Sequence, residues 1–258
     1  MSDSPDVSGH VEVTVDDGVL RVTFDRPAKR NAMTTAMYAD LAGALERATA
    51  ADDVAVVLLR GAGGAFTAGN DLEDMLAHPV DSDDAPPLRM LRALSTLDAV
   101  LVAAVDGPAV GVGTTLLLHC DLVYATASSR LRAPFVSLGL IPEAASTLLL
   151  PAVAGLPRAA AMLLLGEPVD ATTARGWGLI NDVVDTAAEL DALVEEKLTV
   201  LRAAPRGALL TARRLLRTDE ARTVAERLVL DSTLMREMLS SGALAAPPGR
   251  SGQSAQPL

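Results

Sequence analysis

The chain has 258 residues, half of them hydrophobic but only 2% aromatic, so a large core must be filled by Ala, Val and Leu rather than by rings. Thirty-three acidic and 22 basic side chains give a net charge of −11, which repels nucleic acid and anionic membranes outside any local basic patch. The single cysteine, Cys120, excludes an intrachain disulfide and reads as a small buried apolar side chain.

Residues 1–10 read as a flexible N-terminus. They carry acid, Ser and Pro where a signal peptide needs a positive start and an apolar run. Val11 to Val15 and Val19 to Phe24 flank Asp16-Asp17-Gly18 and predict a hairpin. Thr34 or Thr35 can cap a helix whose Met37, Leu41, Leu45 and Ala48 share one face. Val54 to Leu59 predicts a buried strand running into a Gly-rich turn, Gly64 to Leu72. Residues 77–87, with three Asp and three Pro, lack the period of helix or strand. Val100 to Val105 is a second buried strand, and Asp106 to Thr115 a second Gly-rich turn. An apolar helix to about His119 and a short strand, Leu122 to Ala125, follow. This strand, turn and helix unit recurs without the strict period of a solenoid.

The Leu-rich region near residues 146–165 is broken by Pro151, Pro157 and Arg158 and falls short of a membrane span, so the expectation is a soluble, cytoplasmic protein. After about Leu201, three helical segments with paired arginines and a Leu/Met stripe predict a helix-packing surface. Residues 245–258 form a Gly/Ser/Pro/Gln tail with too little apolar area to offset its ordering entropy.

The two Gly-rich turns carry the chemical signal. Each follows a β-branched run and can present bare backbone N–H groups, and two such donors converging on one oxygen make an oxyanion hole. Gly64 to Gly69 has phosphate-loop spacing, but Asn70 and Asp71 stand where Lys and Ser/Thr are required. Gly111-Val112-Gly113 begins like a dinucleotide fingerprint, but Leu116 takes the third glycine position. Read alone, the glycines need do no more than permit tight turns.

Other candidates are weaker on residues alone. His119 and Asp121 lack a serine at a nucleophile elbow, so His119 reads as core. No Cys/His spacing predicts a metal. Arg26, Lys29 and Arg30 form a basic cluster that is a solvated loop or a phosphate attractor. Pro142-Glu143 reads as an ordinary helix start, with Pro in the first turn and negative charge at the positive end of the dipole.

Five segments in order change that balance. Arg26-Pro27-Ala28-Lys29-Arg30-Asn31-Ala32-Met33, Ala65 to Leu72, Asp106 to Thr115, Leu138-Gly139-Leu140-Ile141-Pro142-Glu143 and Ala174 to Val184 together resemble the enoyl-CoA hydratase/isomerase (crotonase) superfamily over about residues 10–240. The Gly-Pro-Ala-Val-Gly phrase and the position of Glu143 are most similar to the peroxisomal-type 3-enoyl-CoA to 2-enoyl-CoA isomerases. The resemblance implies an α/β fold, the ClpP-like spiral of repeated ββα units. Residues 11–200 would be the spiral core holding the CoA and acyl site, and 201–244 a helical trimerisation region giving a homotrimer or hexamer.

The same resemblance implies roles for residues. Backbone N–H groups of Asn70 and Val112 become the oxyanion donors, although relatives often have a third glycine where Val112 stands. The Asn70 side chain is expected only to shape its turn. Hydratases of the family carry two glutamates at the positions of Thr115 and Phe135, and neither is a carboxylate here. Glu143 becomes the single base, buried by Leu140, Ile141 and Phe135. Thr115, Phe135 and Leu140 line the acyl pocket, and residues 77–87 border it. CoA is bound by Arg26, Ala28, Lys29, Arg30, Ala68 and Asp71, with Arg213 approaching from the C-terminal helices. The partner is an acyl-CoA thioester, with no nucleic acid, membrane, metal or separate cofactor. The remaining readings are a hydratase or other crotonase reaction, and a non-catalytic acyl-CoA-binding scaffold.

Overall fold

The computed structural model describes residues 10–217 and 223–240. The expected N-terminal segment up to residue 9 and the tail at 245–258 lie outside the described residues. Strands β1 (Val11–Asp16) and β2 (Val19–Phe24) form the hairpin, paired from Asp16 with Val19 to Val11 with Phe24. Its turn sets Asp17 at φ 46° and Gly18 at φ 77°, the two positive values that match a tight turn to the strand twist.

Helix α1 (Thr35–Ala50) is capped by Thr34, whose side chain accepts from the Met37 N–H, and Met37, Leu41, Leu45 and Ala48 are all fully buried. Strand β3 (Val56–Gly61), helices α2 (Leu72–Ala77) and α3 (Pro86–Thr96), and strand β4 (Val100–Val105) follow. Helix α3 opens at Pro86, whose fixed φ suits a first turn, so the segment without regular structure ends two residues earlier than its Pro and Asp content predicts. Strand β4 is buried at every position, as a parallel strand covered on both faces must be.

The chain then crosses between two sheets. Strand β5 (Pro108–Val110) leads into the short helix α4 (Val112–Thr115), and β6 (Leu122–Thr126) into β7 (Arg130–Arg132). Helices α5 (Ser146–Ala154) and α6 (Leu156–Leu164) precede β8 (Val169–Asp170), α7 (Ala171–Gly176), β9 (Asp182–Val184) and α8 (Ala187–Ala203). The first sheet has six strands in the order β1-β2-β3-β4-β6-β9, and the second has three in the order β5-β7-β8. Beyond the hairpin every pair in the first sheet is parallel, so each return needs a crossover, and the short strands of the second sheet lie on those crossovers. Between β3 and β4, Thr67 makes a one-residue parallel bridge to Ala109, so that crossover touches the second sheet too. This is the repeated organisation that the recurring strand, turn and helix units predict, and it agrees with the spiral that the family resemblance implies.

Two expectations need correcting here. Pro142 and Glu143 do not open a helix: α5 starts at Ser146, because Ala144 and Ala145 adopt φ 53° and 52° and interrupt any helical path. The Leu-rich region is two helices divided by Gly155 at φ 84°, with Pro151 carried inside α5. No described helix is long and apolar enough to cross a membrane.

The chain divides after Arg202 into two compact units. In the second, the described residues form two helices rather than three, α9 (Arg206–Arg217) and α10 (Val224–Ser240), and Arg227 Nη1 donates to the Leu215 carbonyl at 2.8 Å between them.

Where the turns that join the two sheets touch, one glycine has no room for a methyl group. A Cβ on Gly107 would stand 2.1 Å from the Gly64 carbonyl oxygen, whereas one on Gly64, at the same φ of 72°, would meet nothing within 4 Å. In urea denaturation Gly64→Ala should cost about 1 kcal/mol for its left-handed backbone, and Gly107→Ala at least about 2 kcal/mol more. Equal losses would show that the contact between the turns does not constrain the fold.

Candidate active site

The first loop is held by one buried carboxamide. Asn31 is fully buried at φ 58°, a left-handed conformation that Asn tolerates better than most residues. Its Oδ1 accepts from the Arg26 N–H at 2.8 Å, and its Nδ2 donates to the carbonyls of Ala62 and Ala65 at 2.9 and 2.7 Å. Thr67 Oγ1 donates to the Asn31 carbonyl at 2.7 Å and accepts from the Gly69 N–H at 3.0 Å. The segment around Arg26 and the first Gly-rich turn are thereby joined into one body.

The basic cluster is split in two. Arg26 Nη1 donates to Asp71 Oδ2 at 2.6 Å and to the Ala32 carbonyl at 3.0 Å. Asp71 also accepts from the N–H groups of Glu73 and Asp74, capping α2, and its bond to Arg26 holds its carboxyl below the usual carboxylate range. Arg26 and Asp71 thus satisfy each other, whereas Ala28, Lys29 and Arg30 are exposed. The Ala68 N–H donates to the Arg30 carbonyl at 2.9 Å, setting Ala68 beside that exposed turn.

Two backbone donors are left over where the turns meet. The Met33 N–H donates to Gly69 O at 2.8 Å, and the Asp71 N–H to Met33 O at 2.9 Å, a parallel bridge between Met33 and Asn70. Such a bridge uses the groups flanking Asn70 and turns its own N–H to the other side. On the second turn, Gly111 N–H donates to the Arg132 carbonyl at 2.8 Å, and Val112, first residue of α4, has no intrahelical acceptor. Neither N–H has a hydrogen-bond acceptor among the described residues. A Cβ on Gly69 would lie 2.8 Å from the Val110 carbonyl oxygen and 3.7 Å from Gly111 Cα, so the residues just before the two donors are in backbone contact. A Cβ on Gly113 would fall 2.5 Å from Thr67 Cγ2, while the Val112 side chain is buried.

Glu143 joins this group. Its carboxylate accepts from Thr115 Oγ1, three residues after Val112 on the same helical turn. Burial raises the Glu143 carboxyl above the ordinary range, and the Thr115 hydrogen bond opposes that rise. The Ser146 N–H donates to the Glu143 carbonyl at 3.0 Å, and His119 Nε2 donates to Ala144 O at 2.9 Å, holding the left-handed pair behind the carboxylate. His119 is therefore half-buried and hydrogen-bonded to the Glu143 turn rather than a simple core residue.

The burial expected of Leu140 and Ile141 is absent: they are 38% and 85% exposed, because the chain beyond Phe135 runs out along the surface. Phe135 itself is buried. The Asn70 side chain is not a turn former: its Oδ1 accepts from the Tyr38 O–H. Tyr38 is buried on α1, and burial first, then the Glu143 charge, push its phenol well above the usual range. Sequence reasoning missed Tyr38 and Asn31. Thr115 is hydrogen-bonded to Glu143 on the helix that Val112 opens, and Asn70 follows Gly69, which touches Gly111, whereas Arg213 lies in α9 of the second unit and its approach to CoA stays an expectation. Among the described residues no group of three or more His, Cys, Asp or Glu side chains could hold a metal ion.

The arrangement can place a carbonyl oxygen that gains negative charge beside a half-buried carboxylate. Because the Thr115 hydroxyl lowers the Glu143 pKa, Thr115→Val should move the acid limb of the kcat/KM profile to higher pH, since the base must be deprotonated to act. A pH–rate titration with an unchanged limb would show that this hydrogen bond does not tune the carboxylate.

Comparison with known proteins gives one answer. The family model for enoyl-CoA hydratase/isomerase matches residues 14–245. A 1,2-epoxyphenylacetyl-CoA isomerase of Escherichia coli (strain K12) is 39% identical, the match covering 66% of this chain and 68% of that protein. The peroxisomal enoyl-CoA delta isomerase 3 of Mus musculus is 36% identical over 68% of this chain, but the match spans only 57% of the murine protein. A crystal structure of an enoyl-CoA hydratase/isomerase from Pseudoalteromonas atlantica T6c superposes with a TM-score of 0.74 at 38% identity, covering 92% of each chain.

Proposed function

The chain belongs to the enoyl-CoA hydratase/isomerase family of the crotonase superfamily, and on that premise we propose that it moves the double bond of a 3-enoyl-CoA thioester to the 2-position. The observation that carries the reading is Glu143, a half-buried carboxylate whose pKa is raised by desolvation, hydrogen-bonded to the helix that begins at the Val112 donor. The N–H groups of Asn70 and Val112 receive the thioester oxygen and stabilise the negative charge that develops there. Glu143 takes the proton from C2, the electron pair spreads through the dienolate, and the same proton returns at C4 as the bond moves into conjugation. One base suffices if it faces the edge from C2 to C4.

Hydration is disfavoured by the same residues. Thr115 and Phe135 occupy the places of the two hydratase glutamates, and neither side chain is an acid or base that could activate water and protonate carbon. Phe135 is buried and apolar, and Thr115 is spent on Glu143. Lys29 and Arg30, with the main chain at Ala28 and Ala68, form the exposed edge we assign to CoA. Leu140, exposed as it is, would contact the acyl chain beside Thr115 and Phe135. Coenzyme A enters only as part of the substrate.

Glu143→Gln should lower 3-enoyl-CoA isomerisation by about two orders of magnitude or more while thioester affinity changes little. Steady-state turnover with 3-enoyl-CoA and 2-enoyl-CoA, together with direct binding of a saturated acyl-CoA, checks both halves. Near-normal isomerisation by the variant would sink the assignment, and faster hydration than isomerisation in the native protein would favour the hydratase reading.

Assembly follows the same lines. Leu216, Leu228, Val229 and Met235 of the second unit are 87%, 61%, 68% and 58% exposed, which a neighbouring subunit would cover. Light scattering at micromolar concentration should report three or six copies of the 26.7 kDa chain. A single-copy mass would overturn trimerisation.

A further inference from the structure

Tyr38 stands outside every role assigned so far. It lies on α1 next to the fully buried Met37, is 5% exposed, and directs its O–H to Asn70 Oδ1. That bond reaches Asn70, whose main-chain N–H has no acceptor among the described residues. Asn70 Nδ2 points to Met75 Sδ at 3.7 Å, a weak contact that cannot orient the carboxamide by itself.

The Asn70 N–H shares a planar peptide with Gly69 O, which the Met33 N–H already holds, so what remains to be limited is the tilt of that plane. Gly69, at φ 89°, has the broadest rotational freedom of any residue type. The bridge to Met33 holds Gly69 O and Asp71 N–H, one on each side. A side-chain anchor on Asn70 supplies the third fixed point, and α1 is a rigid element from which to supply it. Resting on the oxyanion reading above, we propose that Tyr38 is a positioning residue: by donating to Asn70 Oδ1 it holds the Asn70 N–H on the thioester oxygen through the reaction.

The phenol suits this role because it keeps its proton. Burial and the facing Glu143 carboxylate both oppose its ionisation, so it remains a donor across the working range of the base. A second base so close to Glu143 would compete with it; a permanent donor does not.

The test uses the full-length protein with butanoyl-CoA, a saturated thioester labelled at the carbonyl carbon, read by difference infrared spectroscopy beside steady-state kinetics. In the native protein the bound carbonyl should absorb at lower frequency than free ligand, and Val112→Pro, which deletes a donor, should lose much of that shift. Tyr38→Phe keeps the ring in its packing and removes only the O–H. It should lower kcat roughly ten-fold, leave KM within about three-fold, and reduce the carbonyl shift. Asn70→Leu reads the same bond from its other end should Tyr38→Phe fold poorly, and the double variant should be no worse than the poorer single one. A full carbonyl shift with native kcat in Tyr38→Phe, or additive losses in the double variant, would overturn the role of Tyr38 while leaving the oxyanion assignment intact. No shift in the native protein would overturn both.

Discussion

The whole site depends on a steric constraint at the meeting of two turns. Gly69 lies so close to Val110 that no Cβ fits, Gly107 presses still more closely on the Gly64 carbonyl, and Gly113 faces the Thr67 side chain. Close packing of main chain on main chain is what lets donors from two separate crossovers point at one place. The second sheet helps fix the approach: Thr67 bridges Ala109, and Gly111 is tied to Arg132 of β7. Glycine here supplies absence of volume as much as freedom of φ, and the preorganisation that favours a developing oxyanion follows from it.

Around that contact the polar side chains divide between holding and reacting. Asn31, Thr67, Arg26 and Asp71 are spent on the frame, each with its partners inside the protein. Glu143 is the carboxylate left with a single side-chain partner and a pKa driven upward by burial. This division explains why the basic cluster near Arg26 does not act as a unit. The guanidinium that would attract phosphate most strongly is turned inward, and the more exposed Lys29 and Arg30 remain at the surface.

Much of the frame was legible because it obeys local rules. The hairpin is announced by Asp17-Gly18, the buried strands by runs of Val and Leu, and the two turns by glycines, of which Gly64, Gly69, Gly107 and Gly111 have positive φ. The family resemblance put Asn70, Val112 and Glu143 in one site, and Glu143 and Val112 are joined through Thr115 in the structure. The misses have physical causes. Ala144 and Ala145 adopt left-handed backbone without the Gly or Asn that would advertise it, so the turn carrying Glu143 looked like a helix start. Tyr38 and Asn70 are 32 residues apart, and no periodicity links a phenol on one helix to a carboxamide in a distant turn. Asn31 sat in a quoted motif but was silent because its partners are main-chain carbonyls, which every sequence possesses.

The two carboxylates of the site respond to acid in opposite directions. Asp71, whose pKa is lowered by Arg26, adds to folding stability above the unfolded carboxylate pKa, and that contribution drains away as pH falls through its native value. Glu143 is the reverse: its native pKa is raised, so the folded state holds a proton the unfolded chain releases, and stability declines as pH climbs from the unfolded pKa to the native one. Above that point the desolvated carboxylate is a standing strain on the fold, at the pH where it serves as a base. A protein built this way sits under proton pressure from both sides: mild acid relaxes the reactive group, and only acid below the ordinary carboxylate range loosens the Arg26–Asp71 pair in the first loop.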